Sequence, residues 1–342
     1  MKKGEYIKMK IIVDAFGGDN APVEILKGCV IALSEHSDLE ITLTGPKDKI
    51  KKAAEENNID ISKMTIENCD EILTMEDHAT DVVKKKKNSS MAVGLKMLAD
   101  GKGDAFLSAG NSGALITGAT LIVKRIKGIK RPAFSPIIPK SEGMFMLIDG
   151  GANAECTADM LRQFAIMGSV YLNKVMGVEN PRVGLANVGT EDHKGDPLRL
   201  ETFALLKETP VNFIGNVEGR DIPLDGCDVL VTDGFTGNLI LKTYEGVAIA
   251  LLDKLKGVFT KNVKNKLAAA MVLSDFKELK HTMDTDVYGG APILGAAKPV
   301  FKVHGNATAK TVKYAINLTM NYVITNVIKE IEAEAAKLKT TR

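Results

Sequence analysis

Short runs of apolar, β-branched residues alternate with longer stretches whose apolar positions recur at helical spacing along most of the chain. The strand-like runs are Lys10–Asp14, Ile41–Thr44, Ala105–Ser108, Met144–Asp149, Val183–Asn187, Asn212–Gly215 and Val229–Thr232. Helical patterns occupy Val23–Glu35, Lys47–Asn57, Ala114–Lys124, Thr157–Met176 and Pro197–Glu208. Alternation of this kind places crossover helices between parallel strands. Near-continuous apolar runs such as Asp228–Thr232 suit strands covered on both faces. The pattern predicts an α/β fold with a doubly wound, largely parallel sheet, in a single domain over residues 9–342 after an extension at residues 1–8.

Residues 246–280 interrupt the alternation and read as helix throughout. Lys254, Lys256, Lys261, Lys264 and Lys266 are set there against Leu251, Leu252, Leu255, Val258, Phe259, Leu267 and Met271. Such an excursion suits either a dimer interface or a basic surface resting on anionic lipid. The tail from Ala309 to Leu338 reads as one long closing helix.

Candidate chemistry lies where strands end. Four strand-like runs enter glycine-rich turns followed by helices: Val13–Pro22, Leu107–Leu115, Leu147–Glu155 and Val231–Leu239. In an open parallel sheet these turns collect at the carboxyl edge, where ligands bind. Glycine permits close backbone approach, and the unpaired N–H groups that open a helix favour an anion. Asp104–Leu115 aligns without gaps to Asp228–Leu239, keeping the Asp, both glycines, the Leu and two hydroxyl positions. Hydroxyls beside glycine N–H groups make a phosphate cradle. The candidate set is Gly17, Gly18, Asp19, Ser108, Gly110, Asn111, Ser112, Thr236 and Gly237. None of these turns ends in the Gly-Lys-Ser/Thr of a Walker A loop, and none carries a G-x-G-x-x-G fingerprint. His193 and Lys194 follow another strand in Asn187–Asp196, and Lys194 is a candidate charge partner for phosphate. His304 ends a β-like run before a helix.

Composition narrows the class. A net charge of +2, no Trp and 5% aromatic residues give no reason to expect nucleic acid. The cysteines Cys29, Cys69, Cys156 and Cys227 are scattered, which suits reduced, mostly buried thiols and no metal site. No secretory signal and no apolar run of membrane-spanning length is visible, so a cytoplasmic protein is expected. Lys84–Lys87 and the cluster Lys124, Arg125, Lys127, Lys130 and Arg131 are basic despite the small net charge.

Taken together, DAFGGDNAP, KKNSSM, SAGNSGAL, IKGIKRPA, GGANAE, VGTEDHKGD, FIGNVEGRD, VTDGFTGN and YGGAPILG, in that order over about residues 10–305, resemble the bacterial phosphate acyltransferase family PlsX. Phe16, Ser112, Gly150 and the pair Asn306-Ala307 depart from the usual family residues. The resemblance implies a fold related to phosphotransacetylases and to isocitrate and isopropylmalate dehydrogenases. It also implies a homodimer with possible peripheral membrane contact and no cofactor. The implied reaction is attack of inorganic phosphate on the thioester of acyl-acyl carrier protein, giving acyl phosphate for phospholipid synthesis. Such chemistry needs positioning and oxyanion stabilisation more than covalent help. Asn153, Asn238 and His304 are candidates for orienting the carbonyl, Lys194 for charge, and Asp233 for orienting a phosphate hydroxyl. An acidic carrier protein needs a basic face, for which the Lys124–Arg131 cluster is the candidate. The alternatives are a short-chain phosphate acyltransferase using acyl-coenzyme A, a metal- and nicotinamide-dependent dehydrogenase on the related fold, and a non-catalytic, membrane-docked sensor of acyl carrier protein.

Overall fold

The computed structural model describes residues 8–276 and 289–338. Most of the expected extension, the end of the helical excursion (277–280) and Tyr288 of YGGAPILG lie outside them. The first half of the chain builds β1 (Met9–Asp14), α1 (Val23–Glu35), β2 (Leu39–Gly45), α2 (Lys47–Glu56), β3 (Met64–Asn68), α3 (Ser90–Ala99), β4 (Ala105–Ser108) and α4 (Ser112–Gly118). It then forms β5 (Ala133–Phe134), β6 (Ile137–Pro139), β7 (Met144–Ile148), α5 (Ala158–Lys174), β8 (Arg182–Asn187), α6 (Pro197–Lys207), β9 (Asn212–Glu218) and β10 (Val229–Val231). The remaining elements are α7 (Gly234–Thr260), α8 (Val263–Met271), β11 (Ala291–Leu294), β12 (Val300–Lys302), α9 (Ala309–Ile324) and α10 (Val327–Lys337).

The α/β class and the dominance of parallel pairing are as expected, but the strands divide between two sheets. Among the described residues a seven-stranded sheet has the order β3-β2-β1-β4-β12-β11-β5, and a five-stranded sheet the order β6-β7-β10-β8-β9. Parallel ladders join β1 to β2 and β4, β4 to β12, and β10 to β7 and β8. The antiparallel pairs are at β11 and at β6. The chain leaves the first sheet after β5, builds the second over residues 137–231, and returns to the first at β11. One buried apolar cluster includes Ile11 and Val13 of the first sheet together with Met146, Val183 and Val229 of the second.

Local sequence explains the helix limits. Thr157 caps α5 by accepting from the Met160 N–H, and Asp196 caps α6 ahead of Pro197 at its first position; both are standard starts. Helix α1 buries Ile25, Leu26, Cys29 and Ala32. At Gly28 a Cβ would stand 2.5 Å from Val312 Cβ, so glycine there lets α1 approach α9. The expected single closing helix is two. Asn326 adopts φ 52°, a left-handed conformation that Asn tolerates, and ends α9 so that α10 can bury Val327, Ile331 and Ala335. The excursion does not begin at Gly246 but continues α7 from Gly234, and Asn262 starts α8 as its cap. The four cysteines are free, and all but Cys156 are buried. Among the described residues no helix is long and apolar enough to cross a membrane.

Candidate active site

The turns that end β1, β4 and β12 are packed onto one another. A Cβ at Gly17 would lie 2.6 Å from the Gly110 nitrogen and 2.8 Å from Ser108 Oγ. Gly18 has φ 95°, and a Cβ there would meet the Gly305 carbonyl at 2.7 Å. The Asp19 N–H donates to that same carbonyl at 2.7 Å. The glycines of DAFGGDNAP are therefore required by contact between turns, whatever else they bind.

Several candidate side chains spend their polar atoms inside this framework. Ser108 Oγ donates to Asp14 Oδ2 at 2.7 Å and accepts from the Gly110 N–H at 3.0 Å, out of contact with solvent. Burial pushes the Asp14 carboxyl up, against hydrogen bonds from Ser90 and Ser108. Asn111 caps α4 through the Ala114 N–H at 3.0 Å, while its amide donates to the carbonyls of Met75 at 3.2 Å and Asp77 at 3.0 Å.

The second sheet repeats the device. The carboxylate of Asp149, at the end of β7, accepts from the N–H groups of Gly151, Ala152 and Asn153 and from Asn153 Nδ2 at 2.9 Å. Asn153 also donates to the Pro132 carbonyl at 2.8 Å, and its own carbonyl accepts from the Gly234 N–H at 2.7 Å. Asp233 caps α7 and pairs with Arg199, and Thr236 Oγ1 lies between them, 2.9 Å from Asp233 Oδ2 and 3.1 Å from the guanidinium. Burial opposes ionisation of Asp233, but the Thr236 hydrogen bonds and Arg199 outweigh it and hold the carboxyl below its ordinary range. At Gly237 a Cβ would stand 1.8 Å from the Asp149 carbonyl, so this residue lets α7 start against the β7 turn.

Between the two sheets opens a cleft of about 470 Å³. Asp19, Ser112, Lys302 and His304 reach it from the first sheet's edge, and Gly150, Asn238, Lys242 and Glu245 from the other side. Ile116, Phe134, Ile137, Ile138 and Leu241 supply an apolar wall. His304 Nδ1 is 2.8 Å from Asn306 Oδ1 and its Nε2 is 4.0 Å from Glu245, which also pairs with Lys242 at 2.8 Å. Asn306 thus orients the imidazole. A concave site with an apolar wall and a few convergent polar groups is the usual form of a small-substrate pocket.

Of the candidate residues, Asp19, Ser112, Asn238 and His304 line this cleft. Gly17, Gly18, Gly110 and Gly237 shape the turns around it. Ser108, Asn111, Asn153, Asp233 and Thr236 face partners within the fold. Lys194 sits on an exposed loop after β8, its carbonyl accepting from the Asn187 amide at 3.0 Å, and is not among the described residues that line the cleft. Sequence reasoning missed Lys302, Lys242 and Glu245 in the cleft, and the structural groups Asp14, Asp149 and Arg199. Lys302 carried a visible signal, a lone lysine in the otherwise apolar run Val300–Val303. Among the basic candidates Lys130 pairs with Asp159 at 2.7 Å and Arg125 donates to the Lys130 carbonyl. Lys124, Lys127 and Arg131 are exposed, with no carboxylate partner among the described residues. Among the described residues no group of three or more His, Cys, Asp or Glu side chains is placed to hold a metal ion.

Residues 9–330 match the family described as fatty acid synthesis protein. A phosphate acyltransferase of Acetivibrio thermocellus is 46% identical over 331 residues, covering 97% of this chain and 98% of that protein. A phosphate acyltransferase of Bacillus licheniformis is 47% identical over 326 residues, covering 95% and 97%. A phosphotransacetylase from Streptococcus pyogenes shares the fold with TM-score 0.62 at 16% identity, covering 93% of this chain and 96% of its own. The EutD phosphotransacetylase from Staphylococcus aureus does so with TM-score 0.57 at 16% identity, covering 92% and 94%. With a matching family over nearly its whole length and relatives this similar, the chain belongs to the fatty acid synthesis protein family, among the bacterial phosphate acyltransferases.

Proposed function

We propose that the enzyme moves a fatty acyl group from acyl-acyl carrier protein to inorganic phosphate, giving acyl phosphate for phospholipid synthesis. The observation that carries this reading is the cleft in which Ser112, Asn238 and His304 converge beside an apolar wall. An oxygen of hydrogenphosphate attacks the thioester carbon, the C–S bond breaks, and the phosphate proton ends on the released thiol. Phosphate is already substantially dianionic near neutral pH, with a second pKa of about 7, somewhat above that of phosphoserine. A thiol resembling Cys, with a pKa near about 8.5, departs readily. What remains for the protein is to hold the two reactants in line and to stabilise the tetrahedral oxyanion.

In this reading Ser112 and the N–H groups of the glycine turns hold phosphate, and Asn238 and His304 orient the thioester carbonyl. Lys194, on the exposed loop after β8, is proposed as a charge partner for phosphate. Acyl carrier protein is proposed to dock on the Lys124–Arg131 cluster, which the exposure of Lys124, Lys127 and Arg131 supports. A homodimer and contact with anionic membrane belong to the same proposal. They are supported by the exposed Val247, Ile249, Leu251 and Val258 of α7 and Val263, Leu267 and Met271 of α8. The apolar wall of Ile116, Phe134, Ile137, Ile138 and Leu241 offers a surface on which a fatty acyl chain can pack. The test is whether purified protein releases thiol from acyl-acyl carrier protein only when phosphate is present, with acyl phosphate trapped by hydroxylamine.

A further inference from the structure

Lys302 closes β12 with only 7% of its surface exposed, yet it lines the cleft. A buried ammonium is costly unless it is paired and hydrogen-bonded. Here Nζ donates to the Ala109 carbonyl at 3.0 Å and to the Val303 carbonyl. No carboxylate among the described residues lies within ion-pairing distance of it. An ammonium has three N–H donors, so two are anchored to backbone and the third has no partner among the described residues. Lys242, which also lines the cleft, differs in being paired with Glu245 at 2.8 Å.

We propose that Lys302 is the fixed positive charge that binds the anionic oxygens of inorganic phosphate in this cleft, its remaining N–H directed to phosphate. The inference rests on the reading that the cleft is the phosphate site, and it names a binding residue that reading leaves open. The Ala109 carbonyl belongs to the glycine turn after β4, so the anchor fixes the charge relative to Ser112 at the start of α4. Binding would give a buried cation a counter-charge in direct contact, which no described carboxylate supplies, and this favours a dianion over a neutral ligand.

The charge state follows from the groups around it. Burial lowers the Lys302 pKa to about 8, while Asp19 in the β1 turn and Asp14 at the end of β1 oppose that shift and Lys242 of α7 adds to it. His304 and Glu245 share the same cleft. A lysine with a lowered pKa is charged below that value and neutral above it. Phosphate capture should therefore weaken as pH rises above about 8, where phosphate is already almost wholly dianionic.

The test measures steady-state rates against inorganic phosphate at saturating acyl-acyl carrier protein, for the wild type, Lys302→Met and Lys302→Arg. Lys302→Met should raise the phosphate KM at least about tenfold, as for one lost charge-assisted bond, with the KM for the carrier unchanged. Lys302→Arg should recover part of the loss. The wild-type kcat/KM for phosphate should fall between about pH 8 and 9.5, where phosphate is already dianionic, and the Lys302→Met profile should be flat there. A merely structural lysine would lower kcat or stability without moving the phosphate KM or the pH profile. An unchanged phosphate KM in Lys302→Met overturns the assignment while leaving phosphate-dependent thiol release by the wild type intact. Thiol release by the wild type without phosphate dependence would instead sink the broader reading. If Lys302→Met does not fold, the wild-type pH profile decides, and a phosphate kcat/KM constant across that range overturns the inference.

Discussion

Ser108 and Asp14 are joined at 2.7 Å, hydroxyl to carboxylate, and both side chains are buried between β1 and β4. In the aligned turn of the other sheet, Ser112 has its counterpart in Thr236, which sits on the Asp233–Arg199 pair instead of facing the cleft. Hydroxyls that look equivalent in sequence are thus divided between holding the turns and lining the cleft.

This division is measurable. Ser108→Ala removes a hydrogen bond to the buried Asp14 carboxyl group and should cost about 1–3 kcal/mol of stability, read by urea unfolding. Ser112→Ala should leave stability nearly unchanged and raise the phosphate KM roughly tenfold. The reverse pattern would show that the assignments of the two serines are exchanged.

Removing Arg199 leaves Asp233 buried without its counter-charge. The two side chains are 13% and 7% exposed, so solvent screens them little. Arg199→Met should destabilise the protein by about 3–5 kcal/mol. The double change Arg199→Met with Asp233→Asn should recover part of that in the same unfolding experiment, because the uncompensated charge is gone.

The loop that Asn111 holds also responds to acid. The Lys86 ammonium at 2.7 Å, with the Thr74 N–H and hydroxyl, holds the Asp77 carboxyl at about 2, below its ordinary 3.8. A carboxyl depressed in the folded state binds fewer protons there than in the unfolded chain. Its contribution to stability is therefore complete above about 3.8 and is lost as pH falls towards 2. Carboxyl-carbon NMR titration should place the Asp77 midpoint near the lower value, and Lys86→Met should move it up. A midpoint near 3.8 in the wild type would mean that the ion pair does not form in solution.

Much of the fold was legible because local rules and tertiary packing agree. Val23–Glu35 and Ala105–Ser108 are found with the expected limits, since their periodicities match the faces they bury. The division into two sheets was not legible, because a strand-turn-helix unit reads the same whether its neighbour is β1 or β8. The break at Asn326 was hidden by continuous helical patterning on both sides. In the site, the position of the glycine turns at strand ends was legible. The direction of each hydroxyl was not, because Ser108 is decided by Asp14, which is 94 residues distant along the chain. Lys302 was passed over because a single lysine in a strand is ordinary until its burial is known.

Docking of an acidic carrier on the exposed cluster predicts an electrostatic signature. Replacing Lys124, Lys127 and Arg131 with Gln should lower kcat/KM for acyl-acyl carrier protein and flatten its dependence on salt. The phosphate KM should stay where it was. An unchanged salt slope would place the carrier on another face.

The most direct measurement offers the metal-free protein palmitoyl-acyl carrier protein or acetyl-coenzyme A, with and without inorganic phosphate, and follows free thiol and acyl phosphate together. Thiol and acyl phosphate should appear in equal amounts from the carrier substrate, only when phosphate is present. Activity confined to acetyl-coenzyme A, or thiol release that ignores phosphate, would contradict the proposed reaction.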